Sequence, residues 1–174
     1  MRAAENSLVG VIVFVAALLQ VTLFVSIDVA GGTADVLLIS LLAIALLRGS
    51  VVGAMAGFAG GLLVDVLTLD TLGVSALLYA LLGYGAGRYG ETTGRDRSHA
   101  QLLAVLVGTI AIAYAGYGLH FLLGEEVSAR RALFDTLLPS LVLNLLLAKP
   151  LLALCRSALG RAGGDRVTEV QLLG

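Results

Sequence analysis

Six apolar runs separated by short polar ones set the layout of this chain: about Leu8–Val25, Val36–Leu47, Gly49–Leu67, Leu72–Tyr89, Ala100–Leu123 and Leu137–Leu154. A bilayer hydrocarbon core about 30 Å thick takes roughly 20 apolar residues per helix, so the pattern predicts six transmembrane helices. SIDVAGGTAD, with two glycines and two aspartates, ends the first run, and Thr33 or Asp35 stands where it can cap the second. The second run is short, and Arg48 marks its far side, which predicts a thin or tilted crossing. Asp70 and Thr71 predict a very tight turn between the third and fourth runs. GETTGRDRSH, Gly90 to His99, predicts a solvated loop. After GEEVSARR, Ala132 to Thr136 is expected along the membrane interface, and the tail from Arg156 to Gly174 is expected to be flexible and cytoplasmic.

Composition agrees with the pattern. Of 174 residues, 59% are hydrophobic and 13% charged, about half the charge share of a soluble domain. Mean hydropathy is +1.00. Six helices consume most of the chain, so residues 1–174 read as one all-α membrane domain with no room for a folded soluble domain. Arg2 followed by apolar residues has the look of a secretory signal, but SIDVAGG offers a poor cleavage site, and a retained first span is expected.

Charge distribution then predicts topology. With a cytoplasmic N-terminus, Arg2, Arg48, Arg88, Arg95, Arg97, Lys149, Arg156, Arg161 and Arg166 all fall on or near the cytoplasmic side. Arg130 and Arg131 alone fall outside, beside Glu125 and Glu126 as pairing partners. Both termini are therefore expected inside. No basic arm or lysine-rich block invites nucleic acid.

Chemistry-bearing residues are few. Cys155, the single cysteine, can form neither an internal disulfide nor a CxxC pair and reads as a small apolar residue. His99 and His120 have no companion at metal-ligand spacing, so no metal is expected. Gly73 to Leu77, GVSAL, lacks the second glycine of a nucleophile elbow, and there is no phosphate-binding glycine loop, so neither an enzyme nor a cofactor is expected. Tyr114, Tyr117 and Phe121 lie near one side of the fifth run, as packing or interface anchors do. Lys149 can snorkel to the cytoplasmic interface, and Pro150 should kink or relax the turns around it.

The third run is the most patterned. Gly49, Gly53, Gly57 and Gly61 recur every four residues, with Asp65 next in the series. Such a stripe winds slowly around a helix and removes the bulk that keeps two backbones apart. It serves either packing within the chain or docking of another protein's helix. Asp65 lies about 25 Å along the helix from Arg48 at 1.5 Å per residue, close to the outer interface. There a carboxylate reaches water, or helps stabilise the tight turn into the fourth span, or accepts hydrogen bonds from neighbouring helices or a partner. As a proton relay it has no second acid deeper in the membrane. Asn144, midway along the sixth run, and Gln20, near the outer end of the first, are amides of the kind that bridge helices, with ligand contact as the other use.

Gly57-Phe58-x-x-Gly61-x-x-x-Asp65 followed by Leu72-Gly73-x-x-Ala76-Leu77 resembles the central signature of the rod shape-determining protein MreD family. Gln20 in AALLQ, Asn144 in the last span and Pro150 ahead of a basic tail agree with it. One departure is Thr33-Ala34-Asp35, where members often carry a proline before the second span. The resemblance implies a non-enzymatic scaffold of the bacterial elongation complex in the cytoplasmic (inner) membrane, helping organise peptidoglycan synthesis and rod shape. It implies MreC, with one membrane span, as the primary partner, and RodA, a transpeptidase penicillin-binding protein and MreB as the wider complex. It also implies a fold similar to the six-helix substrate-binding subunits of energy-coupling-factor transporters. On that reading Gly57 and Gly61 would pack against the MreC span, Asp65 would orient the outer helix ends, and Gly53, Gly73, Gln20 and Asn144 are further packing or partner-binding candidates. The alternative function is a vitamin-binding transporter subunit, whose pocket would draw on Asn144, Asp65 and the tyrosines.

Overall fold

The computed structural model is all-helical, and its described residues are 2–24, 32–93, 98–122 and 136–170. In chain order α1 is Arg2–Leu19, continued by a π-helical turn Gln20–Phe24; α2 is Val36–Arg48; α3 is Ser50–Thr68; α4 is Val74–Thr93; α5 is Ser98–Leu122; and α6 is Leu137–Val170. These are the six helices that the apolar runs predict.

One helix sits inside the other five. Every residue of α2 from Val36 to Leu46 is buried, and α2 packs on each of the other helices. The outer helices touch in the closed order α1, α3, α4, α5, α6 and back to α1. With 13 residues, α2 is about 20 Å long, well short of the hydrocarbon core. The ring removes the difficulty, because a helix walled off from lipid need not match its thickness. Among the described residues three helical stretches, Ser50–Thr68, Gln101–Gly118 and Leu137–Gly160, are long and apolar enough to cross a membrane.

The outward surface is oily, and the interior adds small and polar residues to the buried leucines and isoleucines of α2. Met55, Phe58, Leu81, Val107, Leu146 and Leu154 are each more than half exposed, while Asp65, Asn144, Ser40 and Thr109 are buried. Water would penalise such a surface heavily; lipid does not, and association between spans then rests on close packing and interhelical hydrogen bonds.

The tightest packing joins α3 to α4, and the glycines are its cause. A Cβ on Gly53 would lie 2.5 Å from the Gly83 carbonyl oxygen, and one on Gly61 would lie 2.5 Å from the Ser75 carbonyl oxygen. At Gly57 it would collide with the Tyr79 carbonyl, and at Gly87, across the interface, with the backbone of Ser50. Each step of four along α3 meets a step of four back along α4, as an antiparallel pair demands. Gly60, on the neighbouring face of α3, meets Leu37 of α2 and Val13 of α1.

Three boundaries differ from expectation. Gly90–His99 is not one loop, since α4 runs to Thr93 and α5 begins at Ser98. The tail expected to be flexible from Arg156 continues α6 as helix to Val170, and Pro150 lies inside that helix. The reason lies in contacts beyond the last apolar run: Cys155 and Leu159 are buried, and the Leu159 carbonyl accepts from Arg48 Nη2 at 3.5 Å. The expected pairing of Arg130 and Arg131 with Glu125 and Glu126, and the interfacial stretch Ala132 to Asp135, lie outside the described residues, as do Arg95 and Arg97.

Candidate functional site

The first turn of any helix leaves four N–H groups without intrahelical partners, and the cost is highest where water is absent. The N-terminus of α2 faces that problem inside the bundle. It is recessed, because Leu37 stands level with Gly60 while α3 continues to Thr68. Residues 32–35 therefore descend into the ring as non-helical backbone, which is tolerated at membrane depth only when buried in protein and fully paired.

Side chains from the surrounding helices supply the pairing. Asn144 Oδ1 of α6 accepts from Asp35 N at 2.7 Å, and Gln20 Oε1 accepts from the next amide, Val36 N, at 2.8 Å. Gln20 Nε2 donates to the Ala34 carbonyl at 3.2 Å, so one amide group satisfies both polarities of the descending strand. Ser140 Oγ, one turn before Asn144, accepts from Thr33 N at 3.1 Å. Asp35 caps its own helix, with Oδ1 accepting from Leu38 N at 2.8 Å, while Oδ2 accepts from the Tyr79 hydroxyl of α4 at 2.6 Å. Asn144 Nδ2 donates to Thr109 Oγ1 of α5 at 3.0 Å, and that hydroxyl donates to the Val105 carbonyl at 2.8 Å. Thus α1, α4, α5 and α6 are all tied to one helix terminus. Among the described residues no buried side-chain polar atom lacks a partner.

A second polar system holds the α3–α4 hairpin. Asp65 is fully buried in place of reaching water, and accepts from three amides at the start of α4: Gly73 N at 2.8 Å, Ser75 N at 3.3 Å and Ala76 N at 3.4 Å. A carboxylate there also faces the positive end of the helix dipole. The turn reverses through Leu69, in the left-handed region at φ 56°, and Gly73 at φ 96°. Gly73 therefore serves by its backbone, supplying a positive φ and an N–H, and its own surroundings are open. At the other end of the hairpin, Glu91 Oε1 of α4 accepts from Ser50 N at 2.8 Å and Ser50 Oγ at 3.0 Å, capping α3 in return. Those bonds, with Arg88 at 3.3 Å from Oε2, hold the Glu91 carboxyl below its ordinary range. With its carboxamide oxygen turned toward α6, Gln101 accepts from Arg156 Nε at 3.1 Å.

The candidates from the sequence thus separate into two groups. Gln20 and Asn144 meet at the start of α2; Gly53, Gly57, Gly61, Asp65 and Gly73 belong to the α3–α4 hairpin. The expectation that Gly57 and Gly61 receive a partner's span gives way to packing within the chain, because the α4 backbone already occupies that face and leaves no space even for a methyl group. Asp35 emerges as the centre of the polar cluster, beyond the capping role its position suggests, and Tyr79, Thr109 and Ser140 join it unforeseen. One signal was available: Ser140 and Asn144 are four apart, on one face of one helix. Tyr79 carried none, because the aspartate it meets is on another helix.

A helical bundle with an apolar exterior, three stretches able to cross a membrane and, among the described residues, buried polar side chains that are all paired defines a membrane-embedded protein. Within that class the match is specific: the model of the family described as rod shape-determining protein MreD covers residues 1–158, and the chain belongs to that family. Its role is in rod shape determination, and the family is one of shape-determining structural proteins, membrane proteins of the rod shape complex. No curated protein and no solved structure matches the chain.

Proposed function

We propose that the protein is a non-enzymatic scaffold of the bacterial elongation complex, which binds MreC through that protein's single membrane span and helps organise peptidoglycan synthesis. RodA, a transpeptidase penicillin-binding protein and MreB form the wider assembly on this reading. It is placed in the cytoplasmic membrane with both termini inside, on the distribution of lysine and arginine. The single observation that carries the proposal is the family match over residues 1–158. The interior supports it physically. A scaffold has to present one fixed surface, and the glycine-tight hairpin with the paired N-terminus of α2 makes a body of few alternative packings. With the Gly57 and Gly61 face filled by α4, the MreC span is left the outer surface of the ring.

Co-purification from membranes tests this. The tagged protein, expressed with MreC from its own source and gently solubilised, should bring MreC with it in a fixed ratio. A body that purifies intact without MreC, carrying a small vitamin-like molecule, would overturn the proposal in favour of a transporter subunit. Accessibility of single cysteines placed near Arg2 and beyond Arg161 to an impermeant reagent tests the orientation; labelling from outside the cell would reverse it.

A further inference from the structure

No further inference is drawn: the strongest candidate, the apolar cleft of about 270 Å3 between α4 and α5, floored by Leu42 and left open at Gly85, faces outward from the bundle, and nothing in the structure shows what covers it.

Discussion

Asn144 and Gln20, from opposite ends of the chain, accept hydrogen bonds from consecutive backbone amides, Asp35 N at 2.7 Å and Val36 N at 2.8 Å. The first and last helices are thereby fastened to the same turn of the central one. A backbone N–H buried without a partner costs about 1–3 kcal/mol, so each amide side chain defends the fold against a penalty of that size.

Asn144→Leu, close in volume but without polar atoms, orphans the Asp35 amide, and a loss of about 1–3 kcal/mol is expected. Gln20→Leu should cost a similar amount. The two sites share one helix terminus, so the double variant should depart from additivity by about 0.5 kcal/mol or more. Melting of the detergent-solubilised protein measures all three. An Asn144→Leu protein as stable as the parent would mean that the amide is not the partner of α2.

Tyr79→Phe removes only the hydroxyl that Asp35 Oδ2 accepts at 2.6 Å. A loss of about 1 kcal/mol or somewhat more is expected, since the acceptor is a carboxylate. In an Asp35→Ala background the same change should cost little, because the acceptor is already gone. Equal losses in both backgrounds would assign the effect to ring packing instead.

The glycine positions separate sharply. Gly61→Ala places a Cβ 2.5 Å from the Ser75 carbonyl oxygen and 2.6 Å from Ala76 Cα, both backbone atoms that cannot rotate away. Folded yield and melting temperature should fall for Gly53→Ala and Gly61→Ala, with no partner present. Gly10→Ala and Gly85→Ala, where nothing lies within 4 Å, should behave as the parent. Normal stability in the Gly61→Ala protein, with loss of MreC binding alone, would restore the partner-face reading.

Asp65→Ala leaves three α4 amides without their acceptor, and the expected loss is about 2 kcal/mol, the upper end for a removed helix cap. Asp65→Asn keeps an oxygen for them and should recover part of the stability. If the two variants melt together, the carboxylate is not acting as a cap.

Glu91 carries a pH dependence of definite sign. Its folded carboxyl is held below the ordinary value of 4.5 by the Ser50 amide first, then by the Ser50 hydroxyl and Arg88. A depressed acid contributes stability above the unfolded value and loses it as pH falls through the folded one. The protein should therefore weaken on acidification below about pH 4.5, and Glu91→Gln should flatten that part of the profile. An unchanged slope in Glu91→Gln would assign the acid sensitivity to another carboxyl.

Much of this was legible in the residues themselves. Six apolar runs correspond to six helices because each run is long enough to require its own burial. The four-residue recurrence of glycine declares a flat helix face, and the lone amides Gln20 and Asn144 declare interhelical hydrogen bonds, since lipid offers them nothing. The polar look of Gly90–His99 misled for an equally definite reason. Composition there favours solvent, but the bonds from Glu91 to Ser50 and Arg88 keep α4 helical to Thr93.

What the sequence determined by itself, then, is the local physics: which segments need lipid or a core, where glycine permits close approach, and which polar groups must find a partner. Which partners they find was decided only by the tertiary structure. The Tyr79 hydroxyl of α4 and two side-chain amides, Gln20 after α1 and Asn144 of α6, converge on Asp35 and Val36 because α2 is too short to reach the surface and ends inside the ring. The groups they satisfy are mostly backbone amides, which every residue but proline possesses, so no pattern of side chains could single out those that would be left bare.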